Sequence, residues 1–215
     1  MNMLDQKVHE SNGIKTTPEN EIIDLVVRSV KPFPGETWET MLRFSGPTDD
    51  EKQAMLQTVD TLFQRGYELV VATYDHLRNF PETAEILGWQ DHMDEAHLAE
   101  RRRFFTVWLA RTLSMDFGTQ FADYLFYAGK VHAAHGKRHI ETPSMWITGS
   151  IGLIIGTFAR FIIEAQQFNP EQTALALSGW NKYLLVQLNQ MQVGYEAGKE
   201  LNDGLQVINV MAYAM

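Results

Sequence analysis

The stretch AGKVHAAHGKRH, residues 128–139, contains three of the chain's seven histidines within eight positions. His132 stands at the end of an apolar segment with helical spacing, and Gly136 is of the residue type at which helices commonly stop. Ala128 and Leu125 lie one and two turns before His132, so its helix face is apolar. The pattern predicts a helix that stops at Gly136 and carries one imidazole on its buried face.

Three interpretations of these histidines are open: a metal cluster, a single axial ligand, or a core histidine with a hydrogen-bond partner. His132, His135 and His139 are spaced i, i+3 and i+7, and seven residues of helix rise about 10 Å. Because zinc–nitrogen bonds are about 2 Å long, one ion cannot take all three imidazoles from a continuous helix. The residues of this stretch alone favour the core histidine, while a single axial ligand stays open.

The composition describes a globular chain of 215 residues with 45% hydrophobic residues, a formal charge of −9 and no cysteine. The absence of cysteine excludes disulfides, zinc–thiolate sites, iron–sulfur clusters and thiol chemistry. The acidic balance argues against a nucleic-acid partner. The polar start is unlike a signal peptide, and the apolar stretch over residues 145–163 is interrupted by Thr148, Gly149 and Ser150. We expect a core helix there, no membrane partner and a cytoplasmic protein.

Helical periodicity recurs along the chain and no segment alternates as a strand does, so we expect an all-α fold of about seven helices. ENEIIDLVVRSV, residues 19–30, predicts a short N-terminal helix, and KPFPGE then breaks the chain. Thr48 is placed to cap the next helix, ahead of three acidic residues. Long helices are predicted over residues 93–114 and 143–168, in the segment ahead of Gly136, and from Pro170 onward.

Four motifs in this order resemble the globin domain of globin-coupled sensors and protoglobins. LRFSGPTDDEKQAML followed by LVVATYDHLRNFPE is similar to the start of that domain, and RRFFTVW to its distal helix. AGKVHAAHG resembles the proximal helix, and PSMWITGS the Pro–Trp–Gly start of the following helix. The resemblance covers residues 42–195. It implies a globin fold with an N-terminal extension over 1–41, a heme-binding domain over 42–198 and a tail over 199–215.

The resemblance also implies the site residues. His132 becomes the axial ligand of the iron of heme b, and Tyr74 the distal tyrosine that donates a hydrogen bond to bound O₂ or to an ordered water. Phe105 matches the distal phenylalanine, with Leu109 one turn on. Arg101 takes the place of the distal gate residue, within reach of a propionate or an exogenous anion. The remaining wall candidates are Phe80, Val131, Leu153 and Thr157.

The sequence departs from the family pattern at three places. Ile147 stands where several sensors have a tyrosine, so a proximal tyrosine switch is not expected. Thr73 replaces the tryptophan that narrows the pocket of protoglobins, so restricted access is not expected either. The loop RHIET before Pro143 differs in length from that of relatives. His135 and His139 become bystanders, and whether His97 provides a second axial ligand stays open.

The function that the resemblance implies is reversible binding of O₂, CO or NO, as an oxygen or gas sensor. Seventeen residues remain after Gly198, so we expect the output to act through a signalling partner or through oligomer geometry. A homodimer through the last two long helices is expected, because TALALSGWNKYLLVQLNQM is apolar on more than one face and Gly152 and Gly156 permit close contact. Alternatively, these glycines make room for heme or for a crossing helix.

Two other functions stay open from the sequence. A heme redox enzyme, acting on NO, nitrite or peroxide, would need an external reductase because no flavin or nicotinamide domain is present. A helical interaction module without heme is the second, although the presence of both His132 and Tyr74 argues against it.

Overall fold

The computed structural model describes residues 34–213, with side chains described for residues 34–204. This part of the chain contains eight α-helices and no β-strand, so the predicted all-α class is confirmed. The helices are α1 (Pro34–Ser45), α2 (Asp49–Gln64), α3 (Gly66–Asn79), α4 (Pro81–Leu87), α5 (Glu95–Leu113), α6 (Thr119–His132), α7 (Ser144–Ala165) and α8 (Pro170–Tyr213).

Local capping signals fix several helix ends, and the predicted cap at Thr48 is confirmed. The Thr48 side chain accepts from the backbone N–H of Glu51, and the Glu51 carboxylate accepts from the backbone N–H of Thr48 at 2.7 Å. This capping box begins α2. Pro81 occupies the first turn of α4, where its missing N–H is not needed, and Asp94 caps α5 by accepting from His97.

The helix that carries His132 ends earlier than predicted. The sequence places its end at Gly136, whereas α6 stops at His132 and the chain turns through Ala134 at φ 72°. The backbone N–H of Thr142 donates to the His132 carbonyl oxygen at 2.7 Å, and Ala133 forms an isolated bridge with Glu141. These contacts from the following loop replace the last helical hydrogen bonds, which sequence spacing alone does not reveal.

The first described helix, α1, is not anticipated by the sequence analysis. It begins at Pro34 within the segment expected to break the chain, and it spans the expected domain boundary after residue 41. Trp38 of α1 is buried, and its indole N–H donates to the Phe117 carbonyl oxygen at 2.9 Å. Tertiary contact therefore holds this helix. The predicted helix over residues 19–30 lies outside the described residues, and α8 continues through Gly198 into the expected tail.

Helix α8 is central to the fold, with contacts to α1, α2, α6 and α7. Its approach to α6 requires glycine: a Cβ on Gly129 would collide with the backbone of Met191, and one on Gly194 with the backbone of Phe126. The two helix backbones therefore lie in direct contact. This packing fixes α6, and with it His132, against the longest helix of the protein.

The apolar helix α7 is the one described helix that is long and apolar enough to cross a membrane by length and composition. One of its faces packs into the protein core, as the sequence predicts of a core helix. The buried residues of that face are Ile147, Ile151, Ile154, Phe158, Phe161 and Ile162.

A buried carboxylate joins α2 to α8. Glu51 is 5% exposed and accepts hydrogen bonds from the Lys182 ammonium at 2.7 and 2.9 Å and from the Ser178 hydroxyl at 2.6 Å. Burial raises the pKa of Glu51, but these hydrogen bonds and that from the Thr48 backbone outweigh it and lower the pKa to about 2. The side chain is therefore ionised at neutral pH.

Candidate functional site

The His132 imidazole has the tautomer that a metal ligand needs. Its Nδ1 atom lies 2.7 Å from the Ala128 carbonyl oxygen, and because a carbonyl only accepts, Nδ1 must carry the proton. The Nε2 atom is left with a free lone pair. Burial lowers the pKa of His132 to about 4, so the ring is neutral at pH 7.

A cation from α5 lies within electrostatic range of His132. The Arg101 guanidinium contributes to the lowered pKa of His132, which places it within electrostatic range of the imidazole. Arg101 is itself only partly exposed. Helices α5 and α6 therefore bring a positive side chain and a neutral imidazole to one region.

The predicted distal tyrosine reaches this region from α3. The Tyr74 hydroxyl donates to the backbone carbonyl oxygen of Arg101 at 3.0 Å. The side chain is 9% exposed, and burial raises the pKa of Tyr74 to about 12, so the phenol keeps its proton. The structure therefore ties Tyr74 to α5 directly beside the Arg101 side chain.

The two predicted distal residues of α5 lie beside Tyr74. The Phe105 ring contacts the Tyr74 ring edge-on, with centroids 6.0 Å apart, and the Trp108 ring at 5.2 Å. Leu109 is 5% exposed, and a Cβ added to Gly66 would lie 3.3 Å from its methyl group. Tyr74, Phe105 and Leu109 are thus brought together at the contact of α3 with α5, as the resemblance implies.

The weaker wall candidates are more scattered. Phe80 is 39% exposed and lies between the rings of His76 and Trp146. Leu153 is 39% exposed, and its carbonyl accepts from the Thr157 hydroxyl one turn on.

Val131, the remaining wall candidate, precedes His132 on α6 and lies against Gly136 in the following turn. Among the described side chains, no hydrogen bond or ring contact joins any of these four candidates to His132.

The other two histidines of the cluster have separate partners. The Nε2 atom of His135 lies 2.8 Å from the Gly198 carbonyl oxygen in α8, and His139 is exposed with Nδ1 3.3 Å from the Ala134 carbonyl. Within the part of the chain that the structure describes, no group of three His, Cys, Asp or Glu side chains is arranged to hold a metal ion.

His97, which the sequence leaves open as a second axial ligand, is a buried partner of Arg101. It is 2% exposed, its Nε2 atom accepts from the Arg101 Nε at 3.0 Å, and its ring lies 5.2 Å from that of Trp89. Because Nε2 is already accepting, this tautomer does not offer it as a second axial ligand. The i, i+4 spacing of His97 and Arg101 is the sequence signal that could have revealed the pair.

Tyr124 of α6 is a second phenol near the site that sequence reasoning missed. Its ring stacks on Phe121 with centroids 6.0 Å apart, and its hydroxyl lies within electrostatic range of Tyr74. Burial raises the pKa of Tyr124 as well. Its position eight residues before His132 on one helix was the available signal.

These residues fit a heme group. A neutral imidazole with a free Nε2 suits the iron, the aromatic and aliphatic side chains of α3 and α5 suit the porphyrin, and Arg101 suits an anionic group. The hydrogen bond from the His132 Nδ1 to the Ala128 carbonyl oxygen is the most direct geometric support for this fit.

Comparisons with known proteins bear on the fold and the family of the chain. The globin domain of the Geobacter sulfurreducens globin-coupled sensor matches the structure with a TM-score of 0.56, covering 74% of this chain and 96% of that one. The identity is 18%, so this likeness shows the fold, which is the predicted globin fold. Among curated proteins, no sequence matches the chain significantly.

A family model provides the assignment that the structural likeness alone cannot. The model described as protoglobin matches residues 36–200, which is most of the chain. A globin of this kind implies a heme cofactor and a gas ligand. The resemblance drawn from four short motifs is thereby confirmed, and the chain belongs to the protoglobin family.

Proposed function

We propose that this protein is a heme b globin that binds O₂, CO and NO reversibly and serves as a gas sensor. Heme iron, when bound, supplies the coordination site for the gas. The observation that carries the proposal is the hydrogen bond between the His132 Nδ1 and the Ala128 carbonyl, which leaves Nε2 free to coordinate. The lowered pKa of His132 keeps that nitrogen unprotonated at neutral pH.

The α3 and α5 residues form the ligand side of the proposed pocket. Phe105 and Leu109 exclude water, since both are apolar and pack against the core. Tyr74 is the phenol donor, and it must share or release its bond to the Arg101 carbonyl to reach a ligand. We propose that the porphyrin edge lies against Phe80, Val131, Leu153 and Thr157, which are all at least partly exposed.

We also propose that the protein forms a homodimer in the cytoplasm through α7 and α8. Gly149, Gly152 and Gly156 form a glycine stripe along α7. A Cβ added to any of them meets no described atom within 4 Å, so no helix of the described chain crosses this stripe. The exposed side chains of Met145 and Ile163, 65% and 57% exposed, lie at its two ends. A smooth apolar helix face of this kind supports packing against a second copy.

The experiment that tests the proposed cofactor is absorption spectroscopy of the purified full chain, supplemented with hemin, then reduced and exposed to CO. The expected result is a Soret band that shifts with CO at about one heme per chain. A chain that takes up no hemin would overturn the proposal.

A further inference from the structure

Three acidic side chains of this region, those of Asp75, Asp94 and Glu100, are paired with other arginines. Arg138 binds Glu100 at 2.8 Å and Asp94 at 3.3 Å. Arg102, the neighbour of Arg101, lies 3.8 Å from Asp75. Among the described residues, no carboxylate lies within ion-pair distance of Arg101, although its side chain is only partly exposed.

Arg101 is nevertheless held in a defined position. Its Nε donates to the Nε2 of His97 at 3.0 Å, and His97 is fixed by burial and by its edge contact with Trp89. The bond occupies one of the five N–H groups of the guanidinium. The two terminal nitrogens have no described acceptor and are not sealed from solvent.

This cation lies close to the residues of the proposed pocket. Arg101 lies one turn before Phe105 on α5, its carbonyl accepts a hydrogen bond from the Tyr74 hydroxyl, and its charge lies within electrostatic range of His132 on α6. A partly buried charge without a counterion is unfavourable, and the planar pair of terminal nitrogens matches a carboxylate or a small anion.

We propose that Arg101, oriented by His97, is the anion-binding group of the pocket. The anion is either a propionate of the heme or a small exogenous anion that binds beside the iron. This inference rests on the proposed function. It adds that the pocket prefers anions and that His97 is a positioning residue for Arg101.

The test compares the full-length heme-loaded protein with its Arg101→Met variant. Arg103→Met is the matched control, because Arg103 belongs to the same run, is exposed and makes no described ion pair. The ferric proteins are titrated with sodium azide, an anion, and with imidazole, a neutral ligand. Heme loss to an excess of a heme-scavenging apoprotein is measured in parallel.

Because Arg101→Met removes charge-assisted hydrogen bonds, we expect it to change azide affinity or the rate of heme loss by about tenfold or more. Weaker azide binding with unchanged imidazole binding in Arg101→Met assigns the exogenous anion. Faster heme loss with unchanged azide binding assigns the propionate. Arg103→Met is expected to match the wild type in both.

His97 is tested as a positioning residue through the same readouts. His97→Phe is expected to change azide affinity or the rate of heme loss in the same direction as Arg101→Met. His97→Gln keeps a hydrogen-bond acceptor, so it is expected to restore most of the wild-type azide affinity or heme-loss rate. Heme-loaded Arg101→Met that equals the wild type in azide affinity and in heme loss would overturn this inference alone. A wild-type chain without heme would overturn it together with the proposed function.

Discussion

The hydroxyl of Tyr74 donates to the carbonyl oxygen of Arg101 at 3.0 Å, so the phenol expected to face a ligand also joins α3 to α5. The ring lies edge-on to Phe105 at 6.0 Å, which holds it at the same helix contact. One side chain therefore has both a structural partner and a proposed ligand role, and the two roles can be measured separately.

Replacing Tyr74 by Phe is expected to lower the free energy of unfolding by about 1 kcal/mol, because one buried hydrogen bond is lost. It is also expected to speed O₂ release, measured by stopped-flow mixing of the oxygenated protein with dithionite. An unchanged release rate together with the stability loss would show that the hydroxyl acts only as a tie between helices.

Replacing Glu51 by Gln is expected to lower the free energy of unfolding at pH 7 by about 1–3 kcal/mol, because the buried carboxylate is lost as the charged partner of the partly exposed Lys182. Since the folded state holds the pKa of Glu51 at about 2, below its usual 4.5, this contribution is complete above about pH 4.5 and declines as the pH falls toward 2. Urea titrations at pH 7 and pH 3 measure it. An equal loss at both pH values would contradict the assignment.

Replacing Gly194 by Ala is expected to lower the free energy of unfolding by about 1–3 kcal/mol, because the new methyl group collides with the Phe126 backbone. Gly204→Ala on the same helix is the control, since a Cβ there meets nothing within 4 Å. That variant is expected to be neutral or more stable by about 0.5–1 kcal/mol. Equal thermal midpoints for both variants would show that α6 and α8 are not packed through Gly194.

Replacing Gly152 by Glu is expected to weaken the proposed dimer, because it places a charge in the smooth stripe of α7. Sedimentation velocity over a range of protein concentrations measures the change, with Gln57→Glu on the exposed face of α2 as a control of equal charge. If the Gly152→Glu variant sediments as the wild type does, the dimer interface does not include the glycine stripe of α7.

Much of the fold was predictable because its signals are local. The Thr48 capping box, Pro81 and Pro170 mark helix starts by chemistry that operates within a few residues. The helix α1 was not predictable in this way, since a buried Trp38 and its bond to Phe117 hold it, 79 residues apart in sequence. The early end of α6 likewise depends on a contact outside the helix, the hydrogen bond from the Thr142 backbone in the following loop.

The candidate site was predictable in its residue types and less so in its contacts. The neighbourhood of Tyr74 and Phe105 follows from the family resemblance, and the structure places them together. Arg101 pairs with His97 while the carboxylates of Asp94 and Glu100 bind Arg138, which lies more than 35 residues further along the chain. No single stretch of sequence contains that information.

The measurement that tests the central claim most directly is the heme content of the His132→Ala variant, with and without added imidazole. We predict about one heme per chain in the wild type, loss of tight binding in the variant, and partial recovery when imidazole fills the space left by the side chain. A variant that retains full heme content and an unchanged spectrum without imidazole would contradict the assignment of His132 as the axial ligand.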